Sequence, residues 1–456
     1  MRGKNFITTF FICILLTNFS AMYALDQILT LQNFLLNAIK NDKVKQLVLE
    51  EKSLTANYEL SKEMDDWVFS INAGSTLLIS NGNAMKPSIE IVASKLNLDT
   101  GTQLSAAYSR SFSSTSSKDL NKVSMALSQP LIQNHFGYQK ILKDSMLKQT
   151  RVLSRIQIIE SYETYYAELM KLYYDWYLAY IEKESATQLY NDYELLYQDI
   201  LKRKKNHIAR EIDVNKVKVQ LLEKRENLMD QRSNFKTVTE KILNELNTNA
   251  IDSTIPSLPE SNSMEIFKEM DVLLLKSRTE SALNIEAMIS SMNAELAQDD
   301  LKMPLNFEAS YQLTSYPDGS SSDQSTLYSG LSLAIPFYTG NEKASAVLSQ
   351  QSNRQLILVQ QDTRREWVKN LKELQRSITD ENAYLEIYLR KEEYLQSIAY
   401  DEKENYLRGL ASLNELIQAM SNLELARKKS VSHQVLLEKQ KIDWLNLTDQ
   451  LLISVL

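Results

Sequence analysis

The stretch LSLAIPFYTGNEKA (Leu331–Ala344) changes character halfway along. It opens with apolar residues alternating with small ones, halts at Pro336 and Gly340, and is followed by 68 residues without proline or glycine. Alternation of period two is the pattern of a strand, and a long run free of both turn-forming residues is the pattern of a helix. A related stretch, MALSQPLIQNHFGYQK (Met125–Lys140), follows the same plan, with Pro130 and Gly137 in the corresponding places. After it, Tyr138–Ile255 holds 118 residues with neither proline nor glycine. Twice the chain makes a short strand, breaks it at a proline and launches a very long helix.

The two halves align beyond these junctions. Asp65 and Asp66 end a first helical segment before WVFSINAG, and Asp299 and Asp300 end another before LKMPLNFEASYQL. Gly409, in YLRGLASLNELIQA, lies 69 positions after Gly340, and His207, in KKNHIAREIDVNKV, lies 70 after Gly137. At about 1.5 Å per residue each arm is roughly 100 Å long. Beyond each point a returning helix follows. Within the first arm Tyr162, Tyr166, Leu169, Tyr173, Trp176 and Tyr180 form a heptad seam, the pattern of helices that supercoil. These aromatic residues read as helix packing, with hydroxyls wet at the edge of the seam. The expected division is a first repeat over 25–246, a Ser-, Asn- and Pro-rich linker over 247–263 and a second repeat over 264–456.

Residues 1–24 have two basic residues, an apolar core at Phe6–Leu16 and then small residues, the layout of a secretory signal too short to span a bilayer. Cys13, the single cysteine, lies inside that core, so disulfides, thiolate catalysis and thiolate metal sites are excluded from the mature chain. Without Arg2 and Lys4 the basic residues fall from 51 to 49 against 58 acidic ones, a net charge of −9. An acidic exported protein gives no case for nucleic-acid binding. No later segment is apolar enough for a transmembrane helix, so membrane residence requires β-structure.

The strands supply that possibility. Phe307, Ala309, Tyr311 and Leu313 alternate with Glu308, Ser310 and Gln312, and Leu327, Leu331, Leu333 and Ile335 share one side of the next strand. Trp67, Phe69, Ile71 and Ala73, and later Val123, Met125 and Leu127, do the same in the first half. Such alternation suits a barrel with lipid outside and water inside, and equally a soluble sandwich. The adjoining helices are far too long to cap a small sheet. An insertion in the first half, spanning residues 81–118, reads as added barrel strands or as a surface hairpin. With four to six strands, one protomer cannot close the usual minimum of about eight, so oligomerisation is required.

The paired junctions LSQPLIQNHFGYQK and LSLAIPFYTGNEKA, with the turn YLRGLASLNELIQA, resemble the TolC-like outer-membrane efflux proteins over essentially the whole mature chain. The resemblance implies a mostly α, internally duplicated protein with a membrane β-barrel portion. It implies a homotrimer that shares one 12-stranded β-barrel, with long coiled-coil helices forming a periplasmic α-barrel. It further implies outer-membrane lipid, a periplasmic adaptor and an inner-membrane pump as partners, and passive export through a tripartite efflux or type I secretion system. No cofactor or metal is implied, and the family does not specify the cargo.

By the same resemblance Gly409 matches the tip-turn glycine. Tyr406 matches a tyrosine that hydrogen-bonds between neighbouring tip helices to hold the entrance shut, and Asp213 matches the aspartate that accepts that kind of bond. Glu415 matches an acidic residue lining the constriction, which repeated threefold makes a cation-selective ring. The sequence departs from the pattern with His207 where a turn glycine is common, Ala411 at a tip arginine position and Gln418 at a second acidic position. Arg210 is the candidate to replace the missing charged link.

An enzyme is poorly supported. His135, His207 and His433 are the three histidines and fall in no metal-ligand spacing, and no nucleophile elbow or phosphate loop is present. The rival reading is an exported trimeric coiled-coil scaffold or adhesin stalk. Such a stalk has no need of alternating strands or paired strand-to-helix junctions.

Overall fold

The computed structural model of the protein describes residues 28–61, 66–78, 84–97, 99–112, 119–247, 255–258, 270–317, 322–335 and 340–452. The expected signal at 1–24, Asp65 and the junction proline Pro336 lie outside them. The first half runs β1 (Ile28–Leu29), α1 (Leu31–Ala38), α2 (Asp42–Ser61), β2 (Val68–Leu78), β3 (Ala84–Leu96), β4 (Gln103–Ser111), β5 (Leu120–Pro130), α3 (Tyr138–Lys205) and α4 (Glu211–Glu245). The second half runs β6 (Ile255–Pro256), α5 (Met270–Lys276), α6 (Arg278–Asp299), β7 (Leu305–Ser315), β8 (Gln324–Leu333), α7 (Gly340–Arg408) and α8 (Leu413–Leu447). The order of element types is the same in both, except that the first half has four strands where the second has two. Helices α3 and α7 are unbroken over 68 and 69 residues, and no helix among the described residues is long and apolar enough to cross a membrane.

The described residues fall into two compact units. One, within Gln46–Tyr162 and Phe267–Lys372, carries the sheet; the other, within Met1–Lys45, Glu163–Ile266 and Glu373–Leu456, is helical. The sheet has six strands in the order β2-β3-β4-β5-β7-β8, every neighbouring pair antiparallel. The insertion therefore supplies two strands of this sheet, β3 and β4.

Residues directly opposite in adjacent strands share a face, so the register sorts the whole sheet into two sides. One row across all six strands reads Phe69, Ala93, Ala106, Met125, Tyr311, Leu327. A row on the other side reads Asn72, Glu90, Ser109, Lys122, Thr314, Gln324. The first is apolar throughout and the second polar throughout. The apolar side stands uncovered in the protomer: Phe69 is 70 % exposed, Met125 59 % and Leu327 79 %. A contiguous apolar surface of that extent marks a membrane or protein contact.

Strand β5 ends at Pro130, which pairs with Asn306 of β7. The chain then turns through a single 3₁₀ turn (His135–Gly137) into α3, with Gly137 at φ 76°. Asn134 and Phe136 also adopt positive φ, 52° and 45°, a conformation that costs non-glycine residues about 1–2 kcal/mol each. Asp299 holds this turn in place. Its carboxylate is buried, 1 % exposed, and accepts from the Asn134 N–H at 2.7 Å, Gln139 Nε2 at 2.9 Å and Lys302 Nζ at 2.7 Å. Asp299 ends α6 as the sequence suggested, and through this carboxylate the second half of the chain fixes the junction of the first. Burial alone raises its pKa, but the bonds from Lys302, Asn134 and Gln139 outweigh that and hold it below the ordinary carboxylate range.

In the helical unit the middle of the heptad seam forms a core. Leu169, Tyr173 and Trp176 pack with Phe34 and Leu35 of α1 and Ile242 of α4. The Tyr173 hydroxyl is buried and donates to a backbone carbonyl, with Leu29 O at 2.8 Å and Ser257 O at 2.9 Å, so it clamps the parallel pairing of β1 with β6. Trp176 Nε1 donates to Thr239 Oγ1 at 2.9 Å. The residues expected to link the repeats thus contain a short strand that is part of this core.

Replacing Asp299 with alanine leaves three donors without their acceptor, and we expect a loss of about 3 kcal/mol in unfolding free energy, read by denaturant titration. Because its folded pKa is depressed, its contribution is complete above the unfolded carboxylate pKa and disappears as pH falls through the lower folded value. The difference between wild type and Asp299→Ala therefore narrows in acid.

Candidate functional site

The residues singled out for the tip lie at two helix-turn-helix turns of the helical unit, α3 to α4 and α7 to α8. Both turns end their first helix in the same way. The Gly409 N–H donates to Tyr406 O at 3.1 Å and the Leu410 N–H to Asn405 O at 2.8 Å; the His207 N–H donates to Lys204 O at 2.9 Å and the Ile208 N–H to Arg203 O at 2.8 Å. This is the Schellman closure, which needs a left-handed residue just past the helix. Gly409 supplies it at φ 78° without strain. His207 supplies it at φ 59°, and histidine is one of the few side chains enriched there. The departure from glycine in the first half thus leaves the turn intact.

The returning helices also start alike. Ser412 caps α8: its Oγ accepts from the Glu415 N–H at 3.4 Å, and Glu415 Oε2 accepts from the Ser412 N–H at 2.6 Å. In α4 the cap position is Arg210, whose side chain has nothing to offer as an acceptor, and Asp213 does the reciprocal half alone. Asp213 Oδ2 accepts from the Arg210 N–H at 3.2 Å and from Arg210 Nε at 3.3 Å. Asp213 and Glu415 each lie six residues past the left-handed position, so they are equivalent in the two halves. Both carboxyls are held acidic. The backbone bond from Ser412 lowers Glu415; burial works against Asp213, but Arg210 and Lys216 lower it below its usual value.

Tyr406 lies inward of these turns. It is 7 % exposed, within a core of Tyr193, Leu196, Ile200, Val214, Val217 and Leu416. Arg203, not singled out from the sequence, lies over its ring with Cζ 4.6 Å from the centroid, while Arg203 Nε bonds Asp199 Oδ2 at 2.7 Å. The cation–aromatic contact joins the last turn of α3 to the last turn of α7. The Tyr406 hydroxyl is buried with no hydrogen-bond partner among the described residues; burial raises its pKa most, with Arg203 opposing. The structure thus brings Asp213 to Arg210, and Glu415 to Ser412. Within the protomer it does not bond Tyr406 to Asp213. The sequence signal that could have found Arg203 is its place in the last turn of a helix, where basic side chains interact with the terminal carbonyls.

No protein-family model and no curated protein sequence matches the chain. Its fold is nevertheless shared with solved outer-membrane proteins. CusC, whose crystal structures bear on conformational changes accompanying folding and transmembrane channel formation, superposes with a TM-score of 0.71 at 11 % identity, covering 92 % of this chain and 91 % of CusC. The outer-membrane protein VceC of Vibrio cholerae gives 0.69 at 10 % identity, covering 92 % and 95 %. The open state of the MtrE outer-membrane channel of Neisseria gonorrhoeae gives 0.70 at 11 %, covering 92 % and 88 %. The fold is therefore that of the TolC-like channels.

His207→Gly relieves the left-handed strain while keeping both turn bonds. We expect it to raise unfolding free energy by about 1 kcal/mol, and His207→Val to lower it by a similar amount, both read by thermal denaturation.

Proposed function

We propose that this chain is the outer-membrane exit duct of a tripartite efflux or type I secretion system. Three protomers share one β-barrel in outer-membrane lipid, their long helices cross the periplasm as an α-barrel, and transport through the duct is passive. The observation that carries this reading is the six-stranded sheet, apolar on one side and polar on the other, connected to helices of 68 and 69 residues. A lipid-facing exterior and a wet interior need that division, and a periplasmic crossing needs that length. The likeness in fold to outer-membrane channels supports the same reading. A coiled-coil stalk has no use for an apolar sheet face. The twelve strands implied by the resemblance correspond to four from each of three protomers.

In this reading the tips form the inner entrance. The Tyr406 hydroxyl is enclosed by its own protomer without a partner there, so its bond to a neighbouring copy in the shut state requires the tip helices to shift and expose it. Asp213 keeps acceptor capacity beyond its bond to Arg210, as a carboxylate has about four lone-pair sites. Glu415, repeated threefold, lines the constriction with negative charge. A periplasmic adaptor docking around Asn206–Asp213 and Tyr406–Glu415, and powered by an inner-membrane pump, opens the tips by exchanging these contacts for its own.

Single-channel recording of the detergent-purified protein in planar bilayers tests this. We expect small, cation-selective steps that grow in Tyr406→Phe/Asp213→Ala. A conducting protein indifferent to the double substitution would retain the channel and remove the gate; a well-folded trimer without conductance would favour the scaffold. Since the Ser412 backbone N–H holds the Glu415 carboxyl below its ordinary pKa, cation selectivity should fade on acidification at a lower pH than it would for a glutamate without that bond. Reversal-potential measurements across a pH series read that directly.

A further inference from the structure

The described sheet has six strands, two more than the four that a protomer of a twelve-stranded trimer contributes. Resting on the channel reading above, we infer that β3 and β4 belong to the barrel wall and that three protomers close a barrel of eighteen strands, with β8 of each copy pairing with β2 of the next.

The hydrogen-bond order makes the hairpin integral. Strands β3 and β4 lie between β2 and β5, and β2 pairs with β3 along its whole length, as β4 does with β5. Lifting the hairpin out strips both ladders and removes the one strand that β2 pairs with in its own protomer. In hydrocarbon each unsatisfied backbone group costs several kcal/mol.

The faces agree. Ile71, Ile91, Tyr108 and Val123 form one continuous apolar row from β2 to β5, beside the polar row Asn72, Glu90, Ser109, Lys122. A hairpin resting on protein or standing in water has no cause to keep that division in step with its neighbours. The two cations on the apolar side, Lys95 and Arg110, are next to last in β3 and β4, at opposite margins of the band where long side chains reach the polar interface.

The hairpin turn is also built into the base of the sheet. Gly101, at φ 66°, lies so close to the strand-to-helix junction that a Cβ there would stand 2.4 Å from Gly137 N. Gln129 Nε2, beside Pro130, donates to Thr100 O at 2.8 Å.

Closure then follows from the two remaining edges. Six strands alternating in direction place β8 of one copy antiparallel to β2 of the next. In both edge strands the odd-numbered residues carry the apolar side, Phe69, Ile71 and Ala73 in one and Leu327, Leu331 and Leu333 in the other. The closing register therefore pairs odd with odd. Barrel diameter grows roughly linearly with strand number, so this barrel is about 1.5 times as wide as one of twelve strands. Its interior, lined by rows such as Asn72, Glu90 and Lys122, is a wet conduit for bulky hydrated solutes, and the size limit rests with the helix tips.

Cys13 is the single cysteine and lies in the expected signal, so introduced thiols report alone. Single variants Ser109→Cys and Tyr108→Cys on β4, and Ser124→Cys and Met125→Cys on β5, are treated in proteoliposomes with a membrane-impermeant maleimide. We expect strong labelling at 109 and 124 and at least tenfold weaker labelling at 108 and 125. Alternation on β5 without alternation on β4 would overturn the eighteen-stranded wall and leave the channel standing. No alternation on either strand would overturn both. Electron cryomicroscopy of the unmodified trimer counts the strands independently of any variant: eighteen supports the inference, and twelve with β3 and β4 outside the wall ends it.

Discussion

A sheet edge in hydrocarbon has no water to satisfy its N–H and C=O groups, and the proposed channel turns on that constraint. The protomer presents a six-stranded antiparallel sheet whose two edge strands, β2 and β8, lack outer partners. Among the described residues neither edge is shortened, bulged or covered in the ways that soluble proteins blunt such edges; β2 and β8 are 11 and 10 residues long, close to the length that spans a bilayer as a tilted strand. In the proposed channel, further copies would pair these edges, and lipid would cover the apolar side that the protomer leaves exposed.

Where the sheet ends, the chain must change its hydrogen bonding from between strands to within a helix, and the local geometry there is costly. Three of the four residues in Asn134–Gly137, namely Asn134, Phe136 and Gly137, have positive φ as the chain turns into α3. Asp299 offsets that cost by accepting three bonds from one buried carboxylate. The residue lies at the end of α6, so the junction of one half is stabilised by the other. The same reciprocity recurs in the helical unit, where Tyr173 of α3 ties the strand before α1 to the segment between the halves.

At the far ends of α3 and α7 the two turns have converged on one backbone solution with different side chains. His207 replaces glycine at the left-handed position, and Arg210 with Asp213 replaces the serine–glutamate capping box. The conserved geometry leaves an acidic group six residues beyond each turn. Where their charges sit is therefore set by helix-start chemistry, and an acidic residue there is stabilising to the helix as well as useful to a cation pathway.

Features that depend on short-range periodicity were legible in the order of the residues. Alternation at Phe307–Leu313 and Val123–Leu127 marked strands, the 68 residues after Gly340 marked one helix, and the matched spacing of Gly409 and His207 marked equivalent turns. These are local because side-chain direction repeats every two residues in a strand and about every 3.6 in a helix. The place of β3 and β4 within the sheet, the burial of Asp299 and the position of Arg203 over Tyr406 emerge from the fold alone. Each of these depends on a partner far away in the chain, Asn134 for Asp299 and Arg203 for Tyr406. Burial and hydrogen bonding are fixed by what the fold brings alongside, which no local pattern encodes.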